Sequence, residues 1–259
     1  MSGSPDRRGF AVVTGAARRL GAAFAEALAE DGWFVRLHHN TSRREAEETA
    51  ARIVAKGGRC DLAQAELTAP DAAKAIFESR GEPGFASLLV NSASLFEFDS
   101  PADATPHRLE RMYAVNAVAP VLLTQALAAQ LPDDAKGLAV NLLDQKLAQL
   151  NPDFFAYTMS KAALHAATTM MAQSLAPRVR VNAISPGITL PSADQTPAEF
   201  EVASRTPPLG RGSSPAELVR ALRYLVDAEA VTGQNLIVDG GQSLAPAARD
   251  VMFTIRGEG

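Results

Sequence analysis

The sequence has little of what defines several protein classes. A single cysteine, Cys60, among 259 residues excludes an intramolecular disulfide and is typical of a reducing compartment. The net charge is −4 with no block of basic residues, so we expect neither nucleic acid nor an anionic membrane as a partner. Residues 1–9 are polar, unlike a signal peptide, and the most apolar run, 117–131, is broken by Pro120 and Gln125. We therefore expect a soluble, cytoplasmic protein without membrane spans.

What is present is enough apolar sequence for one large core: 47% of the residues are hydrophobic and 21% are charged. Seven short apolar runs alternate with helical patterns, which predicts a doubly wound, seven-stranded parallel sheet with helices on both faces, an α/β Rossmann fold. The predicted strands cover 10–13, 33–38, 59–64, 85–90, 138–143, 180–184 and 235–238. The predicted helices cover 22–30, the segment between Ser42 and Gly57, 70–78, 106–131, the segment from Tyr157 onward, and 215–228.

No repeat or linker divides the chain, so we predict a single domain over 1–259 with a polar tail at 1–8. The segment 188–211 is rich in proline, glycine, serine and threonine, with only a short helical stretch near 198–203. We expect it to be a mobile substrate-binding loop, or lid, over the carboxyl end of the sheet.

The first strand runs into a glycine turn, Thr14-Gly15, and then into Ala16-Ala-Arg-Arg-Leu-Gly21 at the start of a helix. A strand, a glycine turn and a helix in this order place amide N–H groups against a phosphate. The alternative is a tight turn that binds no phosphate. Arg19 stands where Gly-x-Gly-x-x-Gly has its middle glycine, and an arginine there can add charge-assisted contacts to phosphates.

The second predicted strand ends His38-His-Asn-Thr-Ser-Arg-Arg44, with no acid before Glu45. An NAD site usually ends this strand with an acid for the ribose 2′-hydroxyl, whereas hydroxyls, an amide and arginines suit a 2′-phosphate, so we favour NADPH over NADH. Alternatively, Ser42 and Glu45 form a capping box, which is compatible with anion binding. The two histidines are interpreted as surface residues at the strand end, and no metal site is expected.

Tyr157 and Lys161 lie one helical turn apart on one face. A lysine ammonium beside a phenol is expected to lower the tyrosine pKa from about 10, which makes the phenol usable for proton transfer. An ordinary exposed helical pair is the alternative. Asn116 falls in the middle of a predicted helix, where asparagine is unfavourable unless it is hydrogen-bonded or exposed.

Taken together, these features resemble the short-chain dehydrogenase/reductase family over nearly the whole chain. The resemblance implies Tyr157 as proton donor, Lys161 as the residue that holds the nicotinamide ribose and tunes the tyrosine, and Asn116 as the residue that fixes a proton-relay water. It also implies NAD(P)(H), a small-molecule substrate and a homotetramer. The carrying residues are Thr14-Gly15, Gly21, Asn91-Ser-Ala, Asn116, Tyr157-x-x-x-Lys161, Pro186-Gly187 and Val238-Asp-Gly-Gly241.

Three residues depart from the family pattern: Asp144 replaces a serine thirteen residues before Tyr157, Arg19 replaces a glycine, and Glu66 replaces an aspartate. With the segments 37–42 and 91–96, the first two resemble the pteridine reductase branch. That likeness implies Arg19, Ser94, Phe96, Asp144 and Tyr157 as substrate-binding residues. The cofactor-binding residues implied are Gly15, Arg18, Arg19, Leu20, Gly21, His38, Asn40, Thr41, Ser42, Glu66, Leu67, Asn91, Ser92, Ala93, Pro186, Gly187 and Ile188.

The chemistry is consistent with this likeness, because a serine hydroxyl suits a carbonyl oxygen whereas a carboxyl group suits a nitrogen heterocycle. The leading hypothesis is an NADPH-dependent reductase of a C=N bond in a dihydropterin or dihydrofolate. A second is a carbonyl reductase or alcohol dehydrogenase, with Asp144 as an incidental replacement. A third is a catalytically silent nucleotide-sensing protein, which the complete set of Asn116, Tyr157 and Lys161 disfavours. For the residues themselves, the alternative is that Phe96 belongs to the core and Asp144 is an acid at the approach to the helix.

Overall fold

The structure of the chain is a computed structural model that describes residues 9–78, 84–192 and 195–257. The predicted tail, 1–8, and two positions of the predicted lid, 193–194, lie outside the described residues.

Seven parallel strands form one sheet in the order β3-β2-β1-β4-β5-β6-β7, which confirms the predicted fold class. The chain winds outward from β1 in one direction and from β4 in the other. A crevice therefore forms at the carboxyl ends of these two strands, where doubly wound folds bind their ligands. The strands are β1 (Phe10–Val13), β2 (Phe34–His39), β3 (Arg59–Gln64), β4 (Ala86–Asn91), β5 (Gly137–Leu142), β6 (Val179–Pro186) and β7 (Asn235–Val238).

Helices cover both faces of the sheet because the buried strands send alternate side chains to opposite sides. In β1, Ala11 and Val13 pack with α1, α2 and α8, whereas Phe10 and Val12 pack with α3, α5 and α6. The helices are α1 (Arg19–Glu30), α2 (Arg43–Ala55), α3 (Ala72–Phe77), α4 (Pro106–Tyr113), α5 (Ala119–Gln130), α6 (Phe155–Leu175), α7 (Pro197–Ser204), α8 (Pro215–Asp227) and α9 (Val251–Ile255).

Helices α4 and α5 form one continuous rod, joined by a π-helical turn at Ala114–Val118. This combined helix of 25 residues is long and apolar enough to cross a membrane. The sequence predicts no membrane span, because a proline breaks the apolar run. However, 44% of the helix's most apolar window is buried inside the fold, and core helices of soluble proteins meet the same criterion. Its buried residues, such as Leu123 and Leu127, pack against the sheet, so it serves the core here.

One predicted helix boundary is wrong and one helix was missed, and both differences matter for the site. Helix α1 begins at Arg19, three residues earlier than expected, so its first turn includes Gly21. A Cβ at Gly21 would lie 2.2 Å from the Gly15 carbonyl oxygen, so this glycine serves close packing rather than a turn. Helix α9, near the carboxyl terminus, was not predicted at all.

Candidate active site

A cleft of about 1350 Å³ opens at the carboxyl end of the sheet. It exceeds the roughly 300–1,000 Å³ typical of small-molecule pockets, so it has room for a dinucleotide and a flat second molecule. All of the predicted cofactor- and substrate-binding residues line it except Asn91, which is buried behind the wall and donates to Asn141. Of the four predicted catalytic residues, Asp144, Tyr157 and Lys161 line the cleft and Asn116 does not.

The glycine turn forms the floor at the switch point. Gly15 has φ +63°, and a Cβ there would lie 2.9 Å from the Ala93 Cα, so only glycine fits. Helix α1 follows, and Arg18 at its N-cap makes no side-chain capping bond. Amide groups at an N-terminus without such a cap are suited to receive a phosphate.

Arg19 has φ +56°, a left-handed conformation that costs a side-chain-bearing residue about 1–2 kcal/mol. This explains why a glycine is usual at the position. The Arg19 guanidinium reaches over the cleft and donates to the Pro191 carbonyl at 2.8 Å. Arg19 therefore links the glycine turn to the predicted lid.

His38 was interpreted as a surface residue, which is wrong, because both His38 and His39 are buried. The Gly15 amide donates to His38 Nδ1 at 3.2 Å, so the proton of the neutral ring lies on Nε2 and is donated to the Ala65 carbonyl at 3.1 Å. Burial lowers the pKa of His38 to about 4, with the neighbouring His39 adding to the effect and the Ala65 bond opposing it. His38 thus supports the glycine turn from beneath.

The segment that follows β2 forms the edge of the cleft, where a 2′-phosphate was expected. Ser42 occupies the N-cap of α2 but makes no capping hydrogen bond, so the alternative capping box with Glu45 is not formed. Glu66 does line this edge, yet it accepts from Asn40 at 2.5 Å, which occupies one of its oxygens. Arg43 is highly exposed and forms an ion pair with Glu47 of its own helix.

The predicted catalytic residues Asp144, Tyr157 and Lys161 come from the segment just after β5 and from the first turns of α6. Tyr157 Oη donates to Asp144 Oδ2 at 2.9 Å, and Asp144 Oδ1 accepts from the Lys146 amide at 2.8 Å. The buried Lys161 ammonium donates to the Leu142 carbonyl at 2.7 Å and lies 5.6 Å from the centre of the tyrosine ring. The alternative of an ordinary exposed helical pair is therefore wrong.

The expected lowering of the tyrosine pKa is also wrong. Burial first, and then the negative charge of Asp144, raise the pKa of Tyr157 well above 10. Burial lowers the pKa of Lys161 to about 8, although Asp144 opposes this shift. Burial also raises the pKa of Asp144, against the hydrogen bonds from the Lys146 amide and Tyr157. The phenol therefore keeps its proton at neutral pH and stands as a donor.

Asn116 is buried in the π-helical turn, and its side chain is engaged on all sides. Its Oδ1 accepts from Ser94 Oγ at 3.1 Å and from the Leu95 amide at 2.8 Å. Its Nδ2 donates to the Leu95 carbonyl at 2.9 Å and to Ser160 Oγ at 3.0 Å. Asn116 thus ties the segment 94–96 to helix α6, while its role in fixing a relay water stays a prediction.

Phe96 offers a flat apolar surface. Its ring stacks on Phe154 with centroids 4.3 Å apart and meets the edge of Tyr157 at 4.7 Å. Phe96 remains 47% exposed, so the alternative that it belongs to the core is wrong. Phe154 also has a left-handed backbone, with φ +56°, at the start of α6. Strained residues of this kind cluster at functional sites.

Sequence reasoning missed one side of the cleft, which Lys146, Asp250, Val251 and Met252 line. Lys146 lies only two residues after Asp144, but nothing in a single lysine marks it as buried. The last residues of the chain carry no motif. Among the described residues, no group of three or more histidine, cysteine or acidic side chains is placed to hold a metal ion.

Comparisons with known proteins agree with this geometry. A family model described as enoyl-(acyl carrier protein) reductase matches residues 15–243. Pteridine reductase 1 of Leishmania tarentolae is 30% identical over 283 residues, covering 92% of this chain and 97% of that protein.

Two solved structures extend the likeness to the fold. The complex of FolM alternative dihydrofolate reductase 1 from Brucella canis with NADP is 41% identical, with a TM-score of 0.86 over 95% of this chain and 98% of that one. LugOII, described as a promiscuous reductase that catalyses keto-reduction at C1 during lugdunomycin biosynthesis, is 31% identical. Its TM-score is 0.85 over 93% of this chain and 100% of that one.

Proposed function

This chain belongs to the short-chain dehydrogenase/reductase family of oxidoreductases, and we propose that it uses NADPH to reduce a C=N bond of a dihydropterin or dihydrofolate. The observation that carries the proposal is the hydrogen bond from Tyr157 to Asp144, a carboxyl group where the family usually has serine. The likeness to the Brucella canis and Leishmania tarentolae proteins supports the same reading.

The residues present fit NADPH. The turn at Gly15, where a Cβ would strike Ala93, and the uncapped N-terminus of α1 suit the pyrophosphate. Asn40, Thr41 and the unengaged cap position Ser42 suit the 2′-phosphate. When bound, the nicotinamide supplies the hydride.

The proton comes from the chain's own residues. Reduction of a C=N bond adds a hydride to carbon and a proton to nitrogen, and Tyr157 Oη holds that proton because its pKa lies well above 10. Both Asp144 oxygens accept hydrogen bonds, Oδ2 from Tyr157 and Oδ1 from the Lys146 amide, as an ionised carboxylate does. This carboxylate orients the phenol and is placed to hold a ring or amino N–H of the substrate. Burial raises the pKa of Asp144, which favours its uptake of a proton once Tyr157 has given its own to the substrate.

Flat groups and hydrogen-bond donors that line the same cleft position the substrate. Phe96 stacks on one face of the pterin, and the Arg19 guanidinium supplies a second plane and a donor. Ser94, which Asn116 holds in place, adds a hydroxyl group at the same wall.

Carbonyl reduction is the rival function, favoured by the likeness to the ketoreductase LugOII. A protonated Tyr157 alone could serve a carbonyl oxygen, with Asp144 incidental.

The experiment that separates the two functions follows NADPH oxidation by absorbance. It compares dihydrobiopterin and dihydrofolate with a panel of ketones and aldehydes, and each reaction is repeated with NADH. We expect turnover with the pterin or folate, and a preference for NADPH. Turnover of carbonyls alone would overturn the pterin proposal and leave the Tyr157 chemistry standing; no turnover of either class would favour the silent nucleotide-sensing alternative.

The broader organisation proposed from the family resemblance is a single domain acting as a homotetramer in the cytoplasm, with 188–192 and 195–211 contributing to its substrate loop. Light scattering coupled to size exclusion would give the assembly mass. A monomer in solution would contradict the tetramer without affecting the proposed reaction.

A further inference from the structure

The side of the cleft that the sequence motifs did not predict is built around the buried side chain of Lys146. The Lys146 side chain is 5% exposed, and its ammonium lies 3.0 Å from Asp250 Oδ2. The same ammonium lies 5.2 Å from the centre of the Phe154 ring, within the range of a cation–π contact. A buried lysine is costly unless its charge is paired, so these contacts fix where the side chain sits.

The ion pair affects the placement of helix α9, because Asp250 is also the N-cap residue of that helix. Its Oδ1 accepts from the Met252 amide at 3.2 Å, which caps α9, and its own amide donates to Asp153 Oδ2 at 2.6 Å. Arg249 adds two bonds of 3.0 Å to the same Asp153. These hydrogen bonds anchor the segment 249–255 to Asp153, which lies just before helix α6.

The anchored segment borders the cleft. Val251 and Met252 line it, and Phe253 packs behind, 6.2 Å from the Phe154 ring and 4.9 Å from Phe98. Phe154 in turn carries the stacked Phe96 ring. A shift of the terminal segment would therefore disturb the flat surface on which the substrate is proposed to lie.

Lys146 also touches the catalytic group through its main chain, since its amide donates to Asp144 at 2.8 Å. We propose that Lys146 is a positioning residue, whose pairing with Asp250 fixes 249–255 as a wall of the substrate site. The proposal rests on the proposed function for the identity of the substrate, but not for the placement of the wall. The side-chain contacts of the Lys146 ammonium are to Asp250 and to the Phe154 ring, which lie on the side of the cleft where the substrate is proposed to bind.

Lys146→Met tests the proposal, because methionine keeps the length of the side chain and removes its charge. We expect the KM for the reducible substrate to rise at least about tenfold, while the KM for NADPH changes less than twofold. Lys146→Arg should restore most of the loss, since a guanidinium can still pair with Asp250. Lys136→Met, at an exposed lysine far from the terminal segment, is the matched control.

A second readout needs no turnover. Limited trypsin digestion, followed by mass spectrometry of the folded, NADPH-loaded protein, reports how fast the chain is cut after Arg249. We expect release of 250–259 to be at least about fivefold faster in Lys146→Met and in Asp250→Asn than in the wild type. Asp250→Asn keeps a helix-capping side chain, so it guards against a Lys146 variant that fails to fold.

Equal cleavage in all variants, or equal rises of both KM values, would overturn the positioning role. If the wild type reduces neither pterins nor carbonyls, the proposed function fails, and the cleavage rates alone decide whether Lys146 fixes the wall.

Discussion

The cofactor side and the substrate side of the cleft are built in different ways. The cofactor side uses short segments at the ends of strands and main-chain groups, such as the Gly15 amide bound to His38. The substrate side uses side chains that meet from distant parts of the chain: Lys146 and Asp250 are 104 residues apart. A turn of fixed shape suits a constant ligand, whereas a wall of separate side chains can change with the substrate. The two sides should therefore respond to mutation independently.

Tyr157→Phe should give the largest effect and break the substrate side alone. Loss of the donated proton should lower kcat by about 1,000-fold, within the range for general acid catalysis, because the phenol is the proposed proton donor. NADPH binding, measured by fluorescence titration, should stay nearly unchanged. Tyr113→Phe, at an exposed tyrosine, serves as the control. Unchanged turnover would remove the tyrosine from the mechanism.

Asp144→Ser should give the second-largest effect. It should distinguish pterin reduction from carbonyl reduction on the substrate side of the cleft. The change restores the residue usual in the family, so we expect kcat/KM for a dihydropterin to fall about 100-fold and that for any carbonyl substrate to fall far less. The measurement is steady-state kinetics on both substrate classes, with the exposed Asp133→Ser as control. Equal losses on both classes would argue against a pterin-specific role.

His38→Asn should act on the cofactor side through stability. An unfolded histidine takes up a proton near pH 6.5, whereas folded His38 stays neutral down to about pH 4. The unfolded state therefore binds more protons in this window, and the free energy of unfolding falls as the pH falls through it.

Between pH 7 and pH 5, His38 should account for about 2 kcal/mol of lost stability. Urea unfolding should show a weaker pH dependence in His38→Asn by that amount, while His165→Asn, at an exposed histidine, should follow the wild type. Parallel pH profiles for the wild type and His38→Asn would show that His38 does not stay neutral in the fold.

Ser42→Asp should give the smallest effect. Unlike Tyr157→Phe, it should weaken NADPH binding and leave kcat little changed. A carboxylate at the N-cap of α2 stabilises the helix but repels a 2′-phosphate. The KM for NADPH should rise about tenfold, a change of about 1.4 kcal/mol, with kcat and the KM for NADH little changed. Ser174→Asp, at an exposed serine of α6, is the control. If the KM values for NADPH and NADH moved together, the 2′-phosphate would not be bound at this edge.

The sequence by itself determined the fold and much of the site. The alternation of strands and helices predicted the seven-stranded parallel sheet, because a period of two and a period of 3.6 are local properties. The spacing of Tyr157 and Lys161 placed both on one helix face. The resemblance to the pteridine reductase branch implied that Asp144 pairs with Tyr157, and the two side chains share a hydrogen bond of 2.9 Å.

Only the tertiary structure determines the pKa shifts of Asp144, Tyr157 and Lys161. It alone also builds the side of the cleft that Lys146 and Asp250 line. The expected lowering of the Tyr157 pKa counted a nearby charge but not burial, which is set by every element packed around the phenol. Likewise, nothing local distinguishes buried His38 or Lys146 from exposed residues of the same type. Their partners, Ala65 and Asp250, are brought to them only by the folded chain, because burial depends on every element that packs around a residue and not on its neighbours in sequence.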